Sequence, residues 1–130
     1  MKNSGLIASL CFVGLLFSGC IKDNDRITAE ELLKDKDWFL ERRKTVQNDH
    51  YFVGLPTFSF RLSGTSSYRD SDGISGAFTI SRSDNSITLS ISSTGRTITA
   101  YTVRSVGIRH LVLTYGSGAS QSELYFSIRQ

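Results

Sequence analysis

The chain has 130 residues, with 15 Lys and Arg against 12 Asp and Glu, two cysteines and a single proline. That length holds one domain at most. The nearly even charge excludes a dedicated nucleic-acid binder, whose patch would be strongly of one sign.

The first twenty residues are compositionally separate. Lys2 is the only charge before an apolar run at 6–17, which ends in Ser18-Gly19-Cys20. A helix of about twelve residues spans roughly 18 Å, too short for a bilayer core of about 30 Å. A basic start, a short apolar middle and small residues at its end mark a cleaved signal, residues 1–19. Leu16-Phe17-Ser18-Gly19-Cys20 resembles a lipobox, with Phe17 a departure from the usual Leu or smaller aliphatic residue. The resemblance implies that Cys20 is lipidated and becomes the first mature residue, anchoring the chain in a membrane. Cys11 leaves with the signal. The mature domain is then expected to contain no disulfide, no thiolate metal site and no cysteine nucleophile.

Residues 20–28 hold the lipidated Cys20 and a charged tether, whose Lys22-Asp23-Asn24-Asp25 is similar to short acidic surface-export signals. Thr28-Ala29-Glu30-Glu31 reads as a capping box, in which Thr28 and Glu31 satisfy each other's amides. It predicts a helix of about two turns over 29–36, with Leu32 and Leu33 needing an apolar support because so short a helix is unstable alone.

From Trp38 the period changes to two. Strands are predicted at 38–45, 57–62, 65–70, 75–81, 86–92, 96–105, 109–115 and 122–129. Phe58/Phe60/Leu62, Ile87/Leu89/Ile91 and Leu124/Phe126/Ile128 form apolar faces, alternating with Ser, Thr and Arg. Gly- and Asp-containing turns separate these segments, and the one long connection is 46–56, closed by Pro56. Such short links exclude parallel neighbours. The fold class is all-β: an eight-stranded antiparallel up-and-down meander barrel over 29–130, with a short N-terminal helix. A two-sheet β-sandwich is the alternative, which needs longer crossovers.

Few residues in this pattern point to chemistry. The mature chain has two histidines, His50 and His110, and lacks a Gly-x-Ser-x-Gly elbow, His-x-His or Cys-x-x-Cys. The expectation is a non-enzymatic protein with no metal and no cofactor. Asp70-Ser71-Asp72-Gly73 resembles the opening of a calcium loop, but its Gly comes too early and the distal Glu is missing, so a β-turn is expected. Arg42-Arg43-Lys44 is the densest basic spot, with Arg43 on the face opposite the other two. Arg61, Arg82, Arg96 and Arg104 fall singly on outward positions, as on a solvated sheet face. Bulky inward residues in a short barrel leave little interior volume. A pocket is expected only at the mouth near 46–56, where His50, Tyr51, Phe52 and Leu55 form a possible ligand or partner contact.

Leu32-Leu33 before Trp38, the Phe58-x-Phe60-x-x-x-Gly64-Thr65 hairpin, Gly76-x-Phe78-x-Ile80, Tyr101-x-Val103, Leu111-x-Leu113 and Phe126-x-x-Arg129 occur in that order. In this the chain resembles the small lipocalin-like (calycin-type) domain lipoproteins of Gram-negative bacteria. Lys36 stands where lipocalins place a glycine, and the chain is shorter than ligand-carrying lipocalins. The resemblance implies a barrel plugged at one end by the helix, with Arg129 packed over Trp38 as a structural pair. It also implies an outer-membrane lipoprotein on the cell surface or the periplasmic face. Two functions follow as expectations: binding of a small apolar ligand at the barrel mouth, or a filled-core barrel serving as a protein–protein interaction module in the envelope.

Overall fold

The computed structural model describes residues 29–52 and 57–129. The signal, Cys20, the tether, Thr28 of the capping box, Leu55 and Pro56 lie outside them. Two compact units divide at Glu31 and Leu32, and the second is the barrel. Residues 29–33 are helical, and the predicted continuation to 36 does not form. Asp35 adopts a left-handed backbone (φ 58°), which stops the helix and turns the chain into the first strand.

Nine strands follow in chain order: β1 (Asp37–Lys44), β2 (Asp49–Tyr51), β3 (Ser59–Ser63), β4 (Ser67–Asp70), β5 (Ser75–Ser83), β6 (Ser86–Ser92), β7 (Ala100–Val106), β8 (His110–Tyr115) and β9 (Ser122–Ser127). From β3 to β9 each strand pairs antiparallel with the next, and β1 pairs with both β3 and β9. The result is a closed eight-stranded antiparallel barrel with β2 as one extra strand. Closure through β1 and β9 excludes the sandwich, which would need two separate sheets.

The predicted long connection 46–56 contains β2, which lies on the same side of β1 as β3. Phe52 N donates to Glu41 O at 2.9 Å, and Leu40 N donates to Phe58 O at 2.8 Å. Adjacent residues of β1 thus face Phe52 and Phe58. β2 and β3 thus lie along β1 as two halves of one interrupted strand. Alternation missed β2 because Asp-His-Tyr is exposed throughout and has no apolar face to repeat.

The alternating apolar residues face inward as one core. Trp38, Leu33, Leu62 and Leu111 are fully buried where β1 begins and β9 ends. The Trp38 ring nitrogen donates to Leu33 O at 3.0 Å, so the indole both fills this end and satisfies a helix-terminal carbonyl. Lys36 Nζ lies 5.7 Å over the Trp38 ring and donates to Ile108 O at 3.2 Å. This is the closed end.

Arg129 does not pack over Trp38 as the resemblance implied. Its guanidinium lies 4.6 Å over Phe39 and 3.6 Å from Glu41. Alternation supplies the reason: Phe39 is paired with Ser127 on the outer face, two residues before Arg129, whereas Trp38 points inward.

Gly76 is required by close approach. A Cβ there would meet Ser92 O at 2.3 Å and Ser93 Cβ at 2.8 Å, so no larger residue fits without moving backbone.

Candidate functional site

The opposite end of the barrel is built differently, beginning with a slip in β1. Opposite β9 the register shifts between Leu40 and Arg42. Leu40 faces Phe126, whereas past the bulge it is Arg43 that faces Leu124. A single extra residue moves the inward phase from even to odd positions. Arg43 therefore points to the interior side of the rim, while Arg42 and Lys44 turn outward.

The inward Arg43 borders a cavity of about 200 Å³. Its walls are mostly apolar, with Leu40, Phe58, Phe60, Leu113, Leu124 and Phe126 contributing. Phe60 and Phe126 meet edge to face at 5.1 Å, a geometry that fixes both rings. The polar contributions come from Arg43, Tyr68, Arg96 and Tyr101. Bulky inward side chains thus fill the closed end, as expected, but leave room at the other.

Arg96 is misplaced in the strand reading. The predicted strand 96–105 begins only at Ala100, and residues 93–99 form a loop over the mouth. From that loop Arg96 reaches Asp70 through Nε at 2.9 Å and through Nη2, which also bonds Asp72 at 2.9 Å. It is thereby removed from the solvated face on which alternation put it. Its guanidinium also lies 5.0 Å over Phe58, so the loop is held by charge and by an aromatic face.

Asp70, at the end of β4, is the centre of this network, and its side chain is fully buried. It accepts from Tyr68 Oη at 2.6 Å and from the amides of Asp72 at 3.0 Å and Ile74 at 3.2 Å. The amide bonds make Asp70–Gly73 the expected turn, organised by the Asp70 carboxylate. Burial pushes the Asp70 carboxyl up. The bonds from Tyr68, Arg96 and the Ile74 amide, with the Arg96 charge, outweigh burial and hold it below the ordinary carboxylate range. Burial and the Asp70 bond both push the Tyr68 phenol up, so it stays a donor. Desolvation opposes the charge on Arg96, but its bonds to Asp72 and Asp70 raise its pKa further and keep it cationic. A buried carboxylate with this many donors is a rigid strut between β4 and the 93–99 loop.

The residues expected at the mouth are only partly there. His50 is exposed on β2, paired with Arg43 in the ladder. Tyr51 is 62% exposed on the outer wall, its ring 4.9 Å from the Arg42 guanidinium, which ion-pairs with Asp49. Phe52 is half-buried and packs against the core. The cavity itself uses their neighbours Phe58 and Arg43. Sequence reasoning missed Arg43, Tyr68, Asp70 and Arg96 as a group, because a bulge and a loop contact bring them together and neither leaves a periodic signal.

One other pairing of reactive types exists. Ser105 Oγ and His110 Nε2 are 3.0 Å apart near the closed end, both exposed. Among the described residues no carboxylate bonds the ring, which leaves the pair without the orienting group that nucleophilic catalysis uses. No cluster of three or more His, Cys, Asp or Glu able to hold a metal occurs among the described residues.

Comparisons with protein-family models, with curated proteins and with solved structures give no match for this chain.

Proposed function

We propose that this chain is a membrane-anchored lipoprotein whose lipocalin-like barrel binds one small apolar ligand at its mouth. The observation that carries the reading is the mostly apolar cavity of about 200 Å³ at the open end of the barrel. An apolar cavity of about 150 Å³ accepts benzene, so this one has room for a single ring with a short substituent or for a medium-length chain. Function then sits at the open end, and the chain enters β1 at the closed end.

Thermal melting of the full chain with neutral apolar probes such as 1-octanol tests this. At a probe concentration about a hundred times Kd, binding stabilises by about 2.7 kcal/mol and raises Tm by several degrees. Leu113→Trp, which fills the cavity, should remove the shift. If no apolar compound raises Tm, the reading fails.

A further inference from the structure

The walls of the cavity describe the body of a ligand, and its rim describes a head. Of the four polar lining residues, two are arginines and two are tyrosines, and none is acidic. Arg96, rather than the two aspartates it holds, lines the cavity. Tyr68 already donates to Asp70, and Arg96 uses Nε and Nη2 on Asp70 and Asp72.

Arg43 is in a different state. Its side chain has no hydrogen bond or ion pair among the described residues. Its ladder partners are His50 and Leu124, and its chain neighbours are Arg42 and Lys44. Asp49, the nearby acid on β2, is bound in two places by Arg42 on the outer face. The bulge in β1 thus places an exposed cation, with no counter-ion among the described residues, at the rim of a mostly apolar cavity. A guanidinium bordering a low-dielectric space is satisfied by water or by an anion, and its planar fork matches a carboxylate.

We infer that the ligand is a small amphipathic carboxylate, a medium-chain or aryl-substituted acid. Its apolar body lies among Phe58, Phe60, Leu113 and Phe126, and its carboxylate is held by Arg43. This rests on the proposed reading of the cavity as a ligand site and adds the chemical class of the ligand.

Calorimetric titration of the full chain with octanoate and with its neutral near-isostere octanamide separates the two claims. Octanoate should bind at least about tenfold more tightly than octanamide. Arg43→Gln should bring the ratio of the two affinities to about one, and Arg43→Lys should retain part of it, because an ammonium keeps the charge but not the fork. Equal affinities in the wild-type chain, or a preference that persists in Arg43→Gln, would overturn the carboxylate inference while leaving an apolar site standing. If neither probe binds, the cavity is not a ligand site and the inference falls with it.

Discussion

The two ends of this barrel solve the same problem with different materials. At the closed end Leu33, Trp38, Leu62 and Leu111 exclude water completely, and the main internal polar link is the indole bond to Leu33 O. At the open end a buried Asp70 is tied to Tyr68, Arg96 and two backbone amides, and a cavity remains beneath them. Apolar packing stabilises without direction. A satisfied charge network fixes geometry, so side chains can be held apart and space kept between them. On the proposed reading this is a division of labour, with stability concentrated at one end and recognition at the other.

The largest effect expected from breaking this contrast is at Asp70. Asp70→Ala leaves Arg96 and Tyr68 without their shared acceptor and should destabilise the chain by on the order of 3–5 kcal/mol in urea unfolding. The pH dependence has a definite sign. Because the folded-state pKa of Asp70 lies below its unfolded value, its contribution is complete above about pH 4 and is lost as pH falls through the folded value. Wild-type stability should therefore drop in strong acid, and Asp70→Asn should lack that part of the drop.

A matched pair of enlargements sharpens the contrast. Leu62→Phe, at the fully packed end, should cost about 1–3 kcal/mol through overpacking. Leu124→Phe adds the same carbons to a cavity wall and should change stability by less than about 1 kcal/mol. Equal costs at the two sites would show that the open end is as tightly filled as the closed one.

The smallest effect belongs to the outer wall. Arg129→Ala removes the contact with Phe39 and a partly exposed pairing with Glu41. It should cost less than about 1 kcal/mol by thermal melting. A loss comparable to a core truncation would return Arg129 to the structural role that the lipocalin-like resemblance gave it.

The barrel was legible because its core obeys a local rule. Phe58/Phe60/Leu62 and Leu124/Phe126/Ile128 alternate within single strands, and each inward residue can be read from its neighbours two positions away. The sites were legible only where locality held. The Asp70–Gly73 turn was read correctly because its bonds close within four residues. Arg96 was not, because its partner is 26 residues away and no pattern along the chain connects them. Arg43 escaped for a third reason: strict alternation from Trp38 and Leu40 makes it an outward residue, and the bulge that reverses its direction has no composition of its own. The Arg129 error came from carrying over a pair by resemblance against the parity of the strand itself.

The pairing of β1 with β9 has a consequence for how the molecule opens. In an open sheet the terminal strands are bound on one side only, and fraying starts there. Here β1 meets β9 along one side and β3 with β2 along the other, while β9 lies between β8 and β1. The first and last strands of the chain are therefore as fully bonded as the strands between them, with Ser127 Oγ donating to Glu41 across 86 positions of sequence. Among the described residues only the three-residue β2 is bound on one side, so none of the eight barrel strands offers an end from which the ladder can unzip. The seam must part along its whole length before either strand is released, so the meander behaves as one cooperative unit.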